Sequence, residues 1–362
     1  MIDWRQRGAD PAFSGFLDDS LNPTFQSGVV FAGRFFVIGT LVDEDLNETP
    51  AIWMSADRLA WQKANIPDLH GVSDLVVGPG GLLAVADPLW LTTNGTDWTA
   101  VTDTDFEGQG ISRVGATGDG FVALGSLVWT SQDGLEWEVA ASQSGLLLAQ
   151  SGVHKIVRSG DQLLAVAGGV SLGRPLEVWT STNLVDWTKA GELPHSRNVR
   201  SPVAAVGPLG WIVTGSNDPD SGDRTNHIWL SADGLSWQEV TTAIGPVSDV
   251  LVDAVGFVAV GFLFIGTGCA LDPSDIQGLT WTSTDGRSWT EMPQEEFLYK
   301  RIDHLFRNGR TLIGVGLSYD PEVSSEASGS VWTARLPDLA PAGPGPTPPA
   351  PTPEPSGGCG PA

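Results

Sequence analysis

Tryptophan recurs in this chain at Trp53, Trp90, Trp129, Trp179, Trp229, Trp281 and Trp332. The first six are each followed eight residues later by a second one: Trp61, Trp98, Trp137, Trp187, Trp237 and Trp289. A fixed internal spacing of this kind restricts the chain to a repeat architecture. A turn signature separates the members of each pair. It is clearest in Ser131-Gln132-Asp133-Gly134, Ser231-Ala232-Asp233-Gly234 and Ser283-Thr284-Asp285-Gly286; Ser55…Asp57, Thr92…Asn94 and Ser181…Asn183 are weaker copies. Asp-Gly between two β-prone runs marks a hairpin, because Gly accepts positive φ and the Asx side chain can bond a backbone N–H across the turn.

Two further strands precede each hairpin. One has the form Gly-Phe-Val-Ala-Val-Gly, as in Gly120–Gly125 and Gly256–Gly261; before it comes another, such as Val72–Val77 or Val247–Val252. Each unit therefore reads as four antiparallel strands, A to D, in about 40–50 residues, the signature of a β-propeller. Seven strand-C tryptophans but only six strand-D ones follow in order, and Asp3-Trp4-Arg5-Gln6 resembles Ser236-Trp237-Gln238-Glu239. The expected fold is an all-β, seven-bladed propeller over residues 1–336, with residues 2–6 adding the outer strand to a blade built from 299–335. Such a clasp removes an open sheet edge. The indoles are then core packing rather than a sugar-stacking platform.

Composition narrows the partners. Asp and Glu total 43 against 19 Lys and Arg, a formal charge of −24, which disfavours nucleic acid and anionic membranes. Residues 254–271 lack charge, but their first half repeats the strand-B motif, so no membrane span is expected. Two cysteines cannot staple so large a fold, and no Cys/His spacing suggests a metal; no cofactor is expected. Whether Cys269 and Cys359 pair stays open.

The Ser-x-Asp-Gly…Trp copies resemble the Asp-box, or BNR repeat, of sialidase-type propellers, with one residue fewer between Asp and Trp than that family usually has. The resemblance implies a structural turn on the face away from the ligand site. It makes Ser55, Asp57, Trp61, Asn94, Trp98, Ser131, Asp133, Trp137, Ser181, Asn183, Trp187, Ser231, Asp233, Trp237, Ser283, Asp285 and Trp289 scaffold residues. Sialidase chemistry would further need an Arg-Ile-Pro motif, three arginines, an acidic acid/base and a Tyr–Glu nucleophile. The motif is absent, and Tyr299 and Tyr319 are the chain's two tyrosines. Asp-box propellers also include non-catalytic proteins, and the fold does not choose among them.

The inner strands of a propeller line its channel. Aligning them from their starts gives one column of Ser27, Ser73, Ser112, His154, Ser201, Ser248 and Lys300, and a second of Gly28, Asp74, Arg113, Lys155, Pro202, Asp249 and Arg301. Charges are costly to bury between blades, so the second column is assigned to the channel. Asp74, Arg113, Lys155, Asp249, Tyr299 and Arg301 become the ligand-binding candidates, and no catalytic residue is assigned. A ring of mutually neutralising charges is the plainer reading of the same column. His195 and His227 look isolated. Long B–C loops, Ser216–His227, Leu263–Leu279 and Ser318–Ser330, crown the same face, where binding specificity usually resides.

The expected function is a non-catalytic, monomeric binding module for a protein or glycan ligand, the alternative being an exo-acting glycoside hydrolase of sialidase type. Residues 337–362 are rich in Pro and Gly and read as a disordered spacer, which leans toward an extracytoplasmic setting, although residues 1–7, with no apolar run after their charges, do not read as a signal peptide.

Overall fold

The computed structural model describes residues 4–9, 24–42, 48–102, 105, 110–143, 152–169, 173–197, 199–217, 226–240, 244–254, 256–264, 276–291, 297–319 and 327–335. They form seven four-stranded antiparallel sheets. The inner A strands are Thr24–Phe31, Asp74–Gly78, Arg113–Ala116, Val153–Ser159, Val199–Gly207, Val247–Asp253 and Lys300–Asn308. In the seventh blade, Arg5–Ala9 pairs with Ala327–Arg335, which pairs in turn with Thr311–Tyr319. The closing strand thus begins three residues later than the sequence suggests, with Trp4 buried just ahead of it.

Each strand-C indole faces a small or β-branched residue across the ladder. Trp90, Trp129, Trp179 and Trp281 lie opposite Ala84, Ala123, Ala165 and Ala259, while Trp332 lies opposite Gly314. All seven strand-C indoles are buried. They sit in apolar clusters shared by neighbouring blades: Trp53 packs with Phe306, Ile313 and Val331 of blade 7, and Trp179 with Val122 and Leu124 of blade 3. The uncharged stretch becomes a core strand, Gly256–Phe264, and no helix among the described residues is long and apolar enough to cross a membrane.

Because the strands alternate in direction, A–B hairpins and C–D turns share one face, and D–A and B–C links share the other. On the turn face the repeated Ser, Asp and Trp close one small network. In blade 3 the Gly134 N–H donates to Ser131 Oγ (2.8 Å), and the N–H groups of Leu135 and Glu136 donate to Asp133 Oδ1 (2.8 and 3.1 Å). Trp137 Nε1 returns to the Gly134 carbonyl at 3.2 Å, which fixes the Gly-x-x-Trp spacing. Blades 5 and 6 repeat the pattern. These N–H groups hold the carboxylates down; those of Ser236 and Leu235 lower Asp233 to about 2.

The turns also fasten blade to blade. Gln162 of blade 4 donates to the Asp233 carbonyl of blade 5 (3.0 Å), and Arg287 of blade 6 donates to Gln238 of blade 5 (2.8 Å). The glycine just before strand B of blade 3 instead meets the turn strand of its own blade. Gly120 has φ of 153°, and a Cβ there would stand 2.1 Å from the Ser131 carbonyl oxygen. Arg58 and Leu184 replace the turn glycine in blades 1 and 4 and keep its left-handed backbone, with φ of 69° and 65°.

Candidate functional site

At the opposite end the A strands open a channel chamber of about 510 Å³. Cross-strand pairing defines one equivalent position in every blade: Ser27 opposite Ile38, Asp74 opposite Val85, Arg113 opposite Leu124, Lys155 opposite Val166, Val203 opposite Thr214, Asp249 opposite Val260 and His304 opposite Val315. Ser27, Asp74, Arg113, Lys155, Asp249 and His304 all line the chamber, forming a collar near the mouth. Below it the lining is mostly apolar, with Val29, Val77, Ala116, Val157 and Val206, and it takes in Arg158 and the turn residue Leu184.

Asp74, Arg113, Lys155 and Asp249 therefore occupy the channel position assigned from sequence, whereas Gly28, Pro202 and Arg301 do not hold the collar position in their blades. The cause is a β-bulge. In blades 1, 4, 5, 6 and 7 the register slips immediately before the collar residue, and an inserted residue turns the side chains that follow. In blade 7 the slip lies between Ile302 and His304, so His304 takes the collar place. Arg301 is instead buried against blade 6, its guanidinium 4.8 Å from the Phe262 ring centroid and its Nε 2.8 Å from Asp303 Oδ1. Tyr299 is likewise absent from the chamber wall. It meets Tyr319 edge-on at 6.0 Å, half-buried where strands A and B of blade 7 reach the mouth face, with φ of 60°.

The collar acids are bound within the framework. Asp74 Oδ1 accepts from the Ser27 hydroxyl of blade 1 (2.9 Å) and from the Leu75 N–H (2.8 Å). Asp249 accepts from the N–H groups of Val250 and Leu305, both at 2.8 Å, and lies 2.6 Å from His304 Nδ1. Burial pushes the Asp249 carboxyl up, but His304, Lys155 and the Leu305 N–H outweigh it and hold the group below its ordinary value. Asp303 goes the other way: burial raises it to about 6 against the pull of Arg301.

A second polar centre on the mouth face escapes sequence reading. His195, on the link between blades 4 and 5, and His227, on strand C of blade 5, are not isolated, because Glu239 lies 2.6 Å from His195 Nδ1 and 2.7 Å from His227 Nδ1. His227 also bonds Asn217 Oδ1 (3.1 Å) and stacks on Trp229 at 5.3 Å. Burial of Glu239 is outweighed by the two imidazoles, which hold its carboxyl low. Three separate stretches of chain supply this centre, so only tertiary pairing reveals it. Among the described residues, no group of three His, Cys, Asp or Glu is placed to hold a metal ion. Residues 218–225, 265–275 and 320–326 of the long loops, Cys269, Cys359 and the tail 337–362 lie outside the described residues.

No protein-family model matches the chain, and no curated protein sequence matches it. Solved structures do. The α-L-arabinofuranosidase of Fusarium graminearum in complex with arabinobiose is similar over 86% of this chain and 93% of that one, with 13% identity and a TM-score of 0.44. The β-propeller domain of the Trilobed protease from Pyrococcus furiosus covers 89% and 97%, with 8% identity and a TM-score of 0.48. The phage phi92 endosialidase covers 92% of this chain and 60% of its own, with 10% identity and a TM-score of 0.40. The activities in these names belong to those proteins.

Proposed function

We propose that this protein is a propeller-type recognition module, similar to non-catalytic Asp-box propellers, that takes a protein or glycan ligand at the channel mouth. One observation carries this reading: six side chains of the collar converge on a single chamber, at its end away from the repeated turns. Chambers of a few hundred Å³ with a few convergent polar groups suit ligand recognition. The collar carboxylates argue for binding over hydrolysis. Asp74 and Asp249 each accept framework hydrogen bonds, and Asp249 is held ionised. A glycosidase pair needs one carboxyl kept protonated to serve as acid. Screening the full chain on glycan and protein arrays tests the reading. Binding without turnover supports it, and the absence of any retained ligand contradicts it.

The second reading is an exo-acting glycoside hydrolase of sialidase type; the Asp303 carboxyl, raised to about 6 by burial, does not serve it as acid, because it is ion-paired with Arg301 and lies off the chamber wall. Under it, the protein should release the aryl group from an aryl α-L-arabinofuranoside or sialoside, and Tyr299→Phe should abolish release. Wild-type protein that leaves both substrates intact contradicts that reading.

A further inference from the structure

The collar charges differ in what they have left to offer. Asp249 is sealed, with both oxygens occupied by backbone N–H groups and Oδ2 also by His304. Asp74 keeps Oδ2 without a hydrogen-bond partner among the described residues, since Ser27 and Leu75 both take Oδ1. Among the described residues, Arg113 donates only to backbone carbonyls, those of Ser112 (2.6 Å) and His154 (3.2 Å), and pairs with no carboxylate. Lys155, near enough to Asp249 to act on its charge, makes no hydrogen bond or ion pair among the described residues. The Arg113–His154 contact sets the guanidinium against the backbone beside Lys155, and the collar positions of blades 2, 3 and 4 follow in the order Asp74, Arg113, Lys155. His154 adds no third cation to them: burial pushes its imidazole down, and its Nε2 bonds the Gly168 carbonyl at 2.6 Å.

We propose that the collar binds a small carboxylate that carries a hydrogen-bond donor, a hydroxyl or an ammonium group, close to the carboxylate. The oxyanion sits on Arg113 and Lys155, and the donor on Asp74 Oδ2. The proposal rests on the reading of the mouth as a ligand site and names the ligand class. Arg113 and Lys155, without a hydrogen-bonded carboxylate among the described residues and lining the chamber, favour an anion, and a guanidinium matches carboxylate geometry. Asp74 then selects: it repels a bare anion and rewards one with a donor beside it. In a chain of net charge −24, this pair is a local reversal of sign.

Calorimetric titration of the full chain at low ionic strength tests this, with D-glucuronate, D-glucose, acetate and N-acetylglycylglycine as probes. Glucuronate is expected to bind roughly tenfold or more tightly than glucose or acetate, a difference of about 1.4 kcal/mol. Lys155→Met, which breaks no hydrogen bond, should remove that preference over glucose, and Asp74→Asn should remove the preference over acetate. Thermal unfolding of both variants verifies that they fold. Equal affinity for glucose and glucuronate, or a preference that survives Lys155→Met, overturns the proposal. Preferred binding of N-acetylglycylglycine overturns the donor assignment and points to a protein C-terminus. Array ligands retained by the wild type and indifferent to Lys155→Met overturn the ligand class but leave the mouth as a binding site; no retained ligand of any kind overturns both.

Discussion

At the turn face, blades 3, 5 and 6 close the same network of Ser, Asp, Gly and Trp, down to donor–acceptor distances that agree within a few tenths of an ångström. At the mouth face, the seven equivalent collar positions hold Ser27, Asp74, Arg113, Lys155, Val203, Asp249 and His304. A joint that must recur between wedge-shaped sheets admits little variation, because each turn rests on the preceding blade. A collar residue has open channel on one side and is free to differ from blade to blade. Repetition in this chain therefore marks scaffold, and its breakdown marks the surface available for recognition.

The contrast can be broken most severely from the turn face. Trp187 is buried and packs in the cluster joining blades 3 and 4. Trp187→Ala should lower the unfolding free energy by about 3–5 kcal/mol, read from urea denaturation, while the folded fraction keeps its ligand affinity.

Acid should unpick the same face next. The Asp133, Asp233 and Asp285 carboxylates are lowered in the fold, chiefly by backbone N–H donors. Their contribution is fully present above the ordinary carboxylate pKa and is lost as pH falls through the folded value, about 2 for Asp233. Melting temperature should drop between pH 4 and pH 2. Asp133→Ala, which removes the turn hydrogen bonds from Leu135 N–H, Glu136 N–H and Ser131 Oγ, should cost about 1 kcal/mol at pH 7 and flatten part of that drop. An unchanged acid slope in Asp133→Ala would show that the turn carboxylate adds nothing.

A smaller effect sharpens the contrast from within the repeat. Arg58 holds the left-handed turn position that glycine fills in blades 2, 3, 5 and 6. Arg58→Gly should stabilise the protein by about 0.5–1 kcal/mol through relief of that backbone cost, offset in part by loss of the Arg58–Phe35 contact. Lys155→Met should fall at the far end of the series, within about 0.5 kcal/mol of wild type by denaturation.

Blade number, strand order and the clasp made by the N-terminal strand could be read from the sequence because one indole spacing runs through the whole chain. The collar could be read only in part. Aligning the strands read from sequence finds Asp74, Arg113, Lys155 and Asp249, each third from its strand start at Val72, Ile111, Val153 and Val247; the slips that put Ser27, Val203 and His304 in the collar leave no mark in a repeat alignment. A usable signal was present at the other end of the strand. Six of the seven collar residues stand seven positions before the first residue of strand B, as His304 does before Thr311 and Ser27 before Arg34, and Arg113 stands eight before Phe121. Counting back from the hairpin would have replaced Arg301 with His304. Nothing local could have joined His195 and His227 to Glu239, because the three meet only when the outer strands of blade 5 and the link from blade 4 come together.

Hydrogen–deuterium exchange with and without an array-selected ligand measures the division of faces most directly. The account predicts slowed exchange in residues 111–116, 153–157 and 302–306, where the collar strands begin, and no change in the turns at 131–137 and 231–237. Protection confined to those turns, with the collar strands unaffected, would contradict it.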